Sequence, residues 1–187
     1  MKKRATKGSG AKPSGAGTVA TLVRGTVAGA VAAVSNTLGS GDAQPDAIEM
    51  LEREHREFEA ILKQGEETTE RARKTRRALL DRLTTLLNAH ELMEEKVLYP
   101  ALQAHPQARD IVLEGYEEHH VADLIVAELH RVATDDEAWG AKFKVLKENI
   151  EHHIEEEEGE VFRLARGIFS RDELRELAER MQAVRPD

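Results

Sequence analysis

The sequence predicts an all-α protein: an up-down-up-down four-helix bundle with a short fifth helix and a disordered N-terminal tail. Charged residues make up 33% of the chain and aromatic residues only 4%, a balance more typical of helical proteins than of sandwiches or barrels. After residue 46, apolar residues recur at alternating three- and four-residue steps, which is the period of an amphipathic helix. Short connections between these stretches favour antiparallel packing of successive helices.

The first 45 residues differ from the rest in composition. They begin with a stretch rich in Gly, Ser, Lys and Pro, which predicts disorder, and continue into a small apolar stretch at residues 18–38. Arg24 interrupts that stretch and its apolar residues are mostly Ala and Val, so we expect no stable membrane insertion. We therefore divide the chain into a tail, residues 1–45, and a bundle domain, residues 46–187.

The net charge of −8 conceals opposite charges on these two parts. The tail has six Lys or Arg residues against one acid, Asp42, whereas the remainder has 21 Lys or Arg residues against 34 acids. Because an acidic bundle repels polyanions, we expect no nucleic acid to bind it. The chain has no cysteine, which excludes disulfides, thiolate-bound metals and cysteine nucleophiles and fits a reducing, cytoplasmic location.

Start and stop signals along the bundle domain predict the limits of five helices. The predicted helices cover residues 47 onwards, about 70–102, about 107–132, the segment after a turn at 134–137, and 172–181. Asp46 is positioned to cap the first helix and Ser170 the fifth. Tyr99-Pro100 is expected to bend the end of the second helix, because proline lacks a backbone donor.

Four histidines lie on the apolar stripes of the four long helices. They are His55, His90, His119 and His153. Glu94 and Glu157 follow the second and fourth of these histidines by four residues, and side chains at that spacing share one helix face. Imidazole and carboxylate together suit iron, and burying them without partners would be costly. The sequence therefore predicts a metal site made of these six residues.

The histidine pattern repeats along the chain. His55 and His90 are 35 residues apart, and His119 and His153 are 34 apart, as expected for a duplicated helical hairpin. Such a hairpin places all four histidines at a similar height in the bundle. His120 is adjacent to His119, but at about 100° per residue His119 lies opposite the charged face of the third helix. We therefore assign His119 to the inward face.

These residues resemble the hemerythrin-like family, also called HHE cation-binding domains. The resemblance spans about residues 46–165 and is carried by His55 in Glu-His-x-x-Phe, His90 and Glu94 before Leu-Tyr-Pro, Glu-Glu-His-His at 117–120, and His153-x-x-x-Glu157. It implies a four-helix bundle around two non-haem iron ions in an Fe-O-Fe type centre. The four histidines would then be terminal ligands, and Glu94 and Glu157 would bridge.

One position departs from the family's oxygen carriers, which have a fifth histidine one turn after the first in the third helix. Asp123 occupies that position here, and either Asp123 or Tyr116 is expected to supply a seventh ligand. An oxygen donor there would favour the ferric state over reversible oxygen carriage. The resemblance implies a protein that binds, senses or reacts with dioxygen, peroxide or nitric oxide, or that buffers iron.

Two other functions fit parts of the pattern. A ferritin-like diiron oxidase places Glu-x-x-His on two helices and Glu on the other two. The matching residues are Glu52 and His55, Glu117 and His120, with Glu94 and Glu157. That alternative leaves His90 and His153 buried without a role. The second alternative is a metal-free helical interaction module, which iron analysis of the purified protein would distinguish.

Overall fold

The computed structural model describes residues 44–186, which form helices and their connections without any strand. The expected disorder of the tail and the apolar stretch at 18–38 lie outside the described residues, and the division at residue 45 therefore stays a prediction. Among residues 44–186, no helix is both long and apolar enough to span a membrane.

The described chain forms the expected four-helix bundle and a fifth, C-terminal helix. The helices are α1 (Ala47–Glu66), α2 (Arg73–Met93), α3 (Tyr99–Gln103), α4 (Arg109–Arg131), α5 (Glu137–Glu156), α6 (Phe162–Ile168) and α7 (Arg171–Val184). Two π-helical turns, π1 (Glu94–Leu98) and π2 (Glu157–Val161), join α2 to α3 and α5 to α6. We call α1, α2, π1 and α3 the first hairpin, and α4, α5, π2 and α6 the second hairpin.

The helix ends confirm both predicted caps. The side chain of Asp46 accepts a hydrogen bond from the Glu49 amide at 2.9 Å, and Glu49 accepts one from the Asp46 amide at 3.1 Å. Ser170 and Glu173 form the same reciprocal pair at the start of α7. α2 begins slightly later than predicted, at Arg73, because the preceding residues form a turn.

The two π turns change which residues face the interior. In π1 the Tyr99 amide donates to the carbonyl of Glu94, and in π2 the Phe162 amide donates to the carbonyl of Glu157. At about 100° per residue, a side chain five positions further along a regular helix is rotated by about 140° and faces away from the first. The wider i→i+5 turn returns it to nearly the same face, so Tyr99 and Phe162 are buried. π1 directly precedes Tyr99-Pro100, and the bend expected there stays a prediction.

A polar layer divides the hydrophobic core into two clusters. One cluster surrounds Leu51 and Met93 and includes the buried face of α7, and the other surrounds Phe58 and Phe143. His55 lies between Leu51 and Phe58 along α1, and the other predicted site residues occupy the same level of the bundle. α1 packs against α2, α4 against α5, and α7 mainly against α1 and π1. The core on both sides therefore shields the polar layer from water.

Candidate metal centre

The structure brings together all six residues predicted from the sequence, and all six are buried. They are His55, His90, Glu94, His119, His153 and Glu157. The adjacent histidines His120 and His152 are exposed instead. The inward assignment of His119 therefore agrees with the structure, as does the choice of His153 over its neighbour.

The four histidines form two pairs that face each other through their Nε2 atoms. The first histidine pair, His55 and His90, has its Nε2 atoms 3.2 Å apart. The second histidine pair, His119 and His153, has them 3.3 Å apart. Each hairpin thus contributes one pair, as the internal repeat in the sequence predicts.

The two buried glutamates lie between the histidine pairs. Glu94 places Oε1 3.3 Å from Nε2 of His90 and Oε2 3.3 Å from Nε2 of His119. Glu157 places Oε2 3.3 Å from Nε2 of His55 and 3.7 Å from Nε2 of His153. Each carboxylate therefore faces both histidine pairs.

A further glutamate binds the outer ring nitrogen of every histidine; we call these four the outer glutamates. The Nδ1 contacts are His55 to Glu158 at 2.9 Å, His90 to Glu54 at 2.9 Å, His119 to Glu95 at 3.3 Å and His153 to Glu118 at 2.8 Å. Because a carboxylate accepts, each Nδ1 carries the proton and donates it. Each Nε2 therefore presents a lone pair to the interior.

Sequence reasoning missed all four outer glutamates. By helical periodicity, Glu95 and Glu158 fall outside the inward stripes of their helices, and spacing alone gives no support for pairing Glu118 with a histidine. A signal was nevertheless present, because His-x-x-x-Glu-Glu, ending in Glu94-Glu95 and Glu157-Glu158, and the dipeptide Glu-His each occur in both halves. The second glutamate of each Glu-Glu pair reaches a histidine of the opposite hairpin, which spacing within one helix does not reveal.

The electrostatics of the cluster are unfavourable without a cation. Both carboxylate oxygens of Glu94 and Oε2 of Glu157 are buried, and nothing in residues 44–186 donates a hydrogen bond to them. Burial, and then the charge of Glu157, raise the pKa of Glu94 well above its usual range. Burial lowers the pKa of His90, and burial followed by the neighbouring His153 lowers that of His119 to about 3. The neutral imidazoles of His90 and His119 therefore face buried carboxyl oxygens that lack hydrogen-bond donors.

Two aromatic rings that directly follow the π turns cover the cluster. Tyr99 stacks on His119 with ring centroids 5.5 Å apart and donates its hydroxyl proton to Glu157 Oε1 at 3.1 Å. Phe162 stacks on His55 at 5.6 Å. A Cβ at Gly115 would lie 2.7 Å from the Tyr99 hydroxyl oxygen, so glycine is needed there for the phenol to fit. Tyr99 was not predicted as a site residue, because a regular helix would turn it outward.

Neither residue expected to supply a seventh ligand faces the cluster. Asp123 is exposed on α4. Tyr116 donates its hydroxyl to the backbone carbonyl of Glu95 at 3.4 Å, an acceptor that Pro100 cannot satisfy because it has no amide proton. The expectation for Asp123 and Tyr116 is therefore wrong, and the phenol nearest the cluster is that of Tyr99.

The ferritin-like arrangement is not assembled either. Glu117 and His120 are exposed on α4. Glu52 is half-buried and pairs with Arg166 at 3.1 Å instead of facing the bundle interior. The Glu-x-x-His spacing in the sequence therefore does not correspond to a shared inward face.

The donor atoms fit two neighbouring cations. One group, within 4.8 Å of one another, comprises His55, His90, Glu94 and Glu157, and a second comprises Glu94, His119 and His153. Glu94 belongs to both groups, as a bridging carboxylate would. A set of imidazole nitrogens and carboxylate oxygens without thiolate suits iron, among other first-row metals.

A cavity of about 10 Å³ adjoins the cluster on the side of the second histidine pair. Its apolar lining is Phe58, Leu87, Ala122 and Ile150, and its polar lining includes His90, His119 and His153. That volume is about what one water-sized molecule needs. The arrangement therefore admits a very small ligand beside the donor atoms.

Comparisons with known proteins agree with this geometry. The model of the hemerythrin HHE cation binding domain family matches residues 46–165. The crystal structure of a hemerythrin HHE cation binding domain-containing protein from Mycobacterium kansasii is similar, with a TM-score of 0.64 and 25% sequence identity over 74% of this chain and 84% of that chain. No curated protein matches the sequence. With the family model covering most of the chain, the protein belongs to the hemerythrin HHE cation-binding family.

Proposed function

We propose that the bundle binds two non-haem iron ions, one at each histidine pair, with Glu94 and Glu157 bridging them. One observation carries this proposal: three buried carboxylate oxygens without hydrogen-bond donors face four histidine Nε2 lone pairs. Two cations would give every one of these atoms a partner. The ligand set is the one expected from the sequence, His55, His90, Glu94, His119, His153 and Glu157.

The surrounding residues are suited to orient such ligands. Each outer glutamate holds the Nδ1 proton of its histidine, which fixes the tautomer and makes Nε2 a stronger donor. The Tyr99 hydroxyl holds one oxygen of Glu157, and so restricts the rotation of that carboxylate. Bound iron would supply redox chemistry toward dioxygen, peroxide or nitric oxide; the protein supplies orientation and a dry interior.

The small cavity limits any ligand that binds beside the histidines to a very small molecule. Its volume of about 10 Å³ excludes an organic substrate, whereas a diatomic molecule or peroxide is close to the size of one water. We therefore propose that the loaded protein binds or reacts with dioxygen, peroxide or nitric oxide.

Metal analysis with paired histidine variants tests the metal site. The full chain, expressed with iron supplementation, is expected to contain about two iron ions and no haem. His119→Ala and His153→Ala should lose iron, whereas the neighbouring exposed variants His120→Ala and His152→Ala should retain it. Equal iron content in all four variants would refute the ligand assignment, and stoichiometric zinc after iron supplementation would refute iron.

Rapid mixing tests the small-ligand part separately. The reduced, iron-loaded protein is mixed anaerobically with dioxygen, hydrogen peroxide or nitric oxide, and its absorption spectrum is followed. A fast spectral change with at least one of the three is expected. Two bound irons that respond to none of them would refute the proposed reactivity and leave metal binding intact.

A further inference from the structure

The outer glutamates of the first histidine pair are each neutralised by an arginine. Arg56 forms an ion pair with Glu158, which binds Nδ1 of His55. Arg185 forms an ion pair with Oε1 of Glu54. The other oxygen of Glu54, Oε2, accepts from Nδ1 of His90. Arg185 directly follows α7, and the packing of α7 on α1 brings it to a partner 131 residues away in sequence.

The outer glutamates of the second histidine pair have no such partners. Glu95 binds His119 and Glu118 binds His153, but neither carboxylate pairs with Lys or Arg in the part of the chain that the structure describes. The aromatic ring over each pair also differs. The Tyr99 ring over the second pair carries a hydroxyl, whereas the Phe162 ring over the first pair has none.

This difference affects how strongly each pair can hold a cation. A carboxylate that accepts the Nδ1 proton makes the opposite nitrogen a better donor. An arginine on that carboxylate draws its negative charge away, and also places a positive charge near the bound cation. The arginines therefore make the histidines of the first pair the weaker donors, an effect that acts against the closer approach of Glu157 to His55, 3.3 Å compared with 3.7 Å to His153.

The two arginines should not contribute equally. Arg56 is 53% exposed and Glu158 30%, so water screens this pair. Arg185 is 35% exposed and Glu54 only 11%, and the carboxylate lies against the buried ring of His90. Arg185 is expected to have the larger effect.

We infer that the two cation positions are inequivalent: the second histidine pair fills first, and Arg185, with a smaller contribution from Arg56, weakens the first position by acting on its outer glutamate. Both arginines are positioning residues, since neither touches the donor atoms themselves. The inference rests on the proposed function, because it assumes that each histidine pair holds a cation.

Anaerobic titration of the metal-free full chain with Co²⁺ tests the order of filling. Visible absorption and competition with a chelator should resolve two binding steps whose dissociation constants differ about tenfold or more. His55→Ala should retain the tighter step, and His119→Ala should retain only the weaker one. Circular dichroism checks that both variants keep their helices. Equal constants in the unsubstituted protein, or the reverse assignment, would overturn the inference.

Variants at Arg185 test the effect of its positive charge without changing a metal ligand. Arg185→Gln should strengthen the weaker step by up to about tenfold and leave the tighter step unchanged. Arg185→Lys keeps the charge and should behave like the unsubstituted protein. Arg175→Gln is the matched control, because Arg175 lies on α7 but pairs with Asp172 at 2.9 Å.

The outcomes separate this inference from the proposed function. An Arg185→Gln protein with unchanged or weakened binding in the weaker step overturns the role of the arginine. Arg56→Gln should shift the same step less than Arg185→Gln, and a larger shift would contradict the screening argument. Absence of any Co²⁺ binding by the unsubstituted chain would refute the metal site itself, and the inference with it.

Discussion

The first and second hairpins present the same donors to the interior but have different surroundings. Inward, each supplies two histidines and one buried glutamate at matching positions. Outside the donors, α7 covers the first hairpin. The outer glutamates of the first histidine pair, Glu54 and Glu158, form ion pairs with arginines, whereas those of the second histidine pair form no Lys or Arg pair among residues 44–186. A shared cation site constrains the inner face of both hairpins, while the outer face is free to differ.

The similarity includes the π turns. Each begins at a buried glutamate and ends by returning an aromatic ring to the interior, Tyr99 in the first hairpin and Phe162 in the second. Each ring stacks on a histidine of the opposite hairpin, His119 and His55 respectively. The π turns therefore link the hairpins reciprocally, and the hydroxyl of Tyr99 is the main difference between the two contacts.

Metal removal should lower the stability of the fold most, because it leaves the donor atoms of both hairpins without partners. Metal at 1,000 times its dissociation constant stabilises a fold that binds it by about 4 kcal/mol. We therefore expect chelation to lower the melting temperature clearly in thermal unfolding. The loaded His120→Ala protein should melt like the loaded unsubstituted protein. Identical melting of the metal-free and loaded proteins would show that the metal does not join the hairpins.

Tyr99→Phe should make the two aromatic contacts alike. It should lower the free energy of unfolding less than metal removal does. Loss of the hydroxyl leaves Glu157 Oε1 without its donor, a change of about 1–3 kcal/mol in the free energy of unfolding. Tyr116→Phe removes a longer, half-buried hydrogen bond and serves as the control with a smaller expected loss. Urea unfolding of both variants measures the difference. Equal losses would mean that the hydroxyl above the second histidine pair has no special role.

Gly115→Ala should displace the same hydroxyl without removing it. The new Cβ would lie 2.7 Å from the Tyr99 hydroxyl oxygen, and crowding of this kind costs about 1–3 kcal/mol. The gain in helix propensity from glycine to alanine, up to about 1 kcal/mol, offsets part of that cost. Gly167→Ala has no atom within 4 Å of its Cβ and should be neutral or stabilising in the same unfolding assay. A stabilised Gly115→Ala protein would contradict the close packing.

Asp123→His should have the smallest effect, although it would restore the histidine that oxygen carriers have in the third helix. Asp123 is exposed, so we expect unchanged iron content, unchanged kinetics with dioxygen and a stability change within about 0.5 kcal/mol. Metal analysis and rapid mixing check this. A new, reversible oxygen complex in this variant would place position 123 against the metals after all.

The sequence alone determined the helices and the residues on their inward faces. Asp46 and Ser170 cap helices where predicted, and the stripe of apolar residues around His55 and His153 places both in the polar layer. These features depend on residues three or four positions apart in one helix, which periodicity describes well. The internal repeat also predicted that the four histidines would share one level of the bundle.

The tertiary structure alone decided which residues support that layer. The π turns rotate Tyr99 inward against the 3.6-residue period, and the position of α4 leaves Asp123 in solvent. Glu54 meets Arg185 across 131 residues of sequence. Such contacts join different helices, so they depend on how the helices pack, and no spacing within one helix specifies that packing.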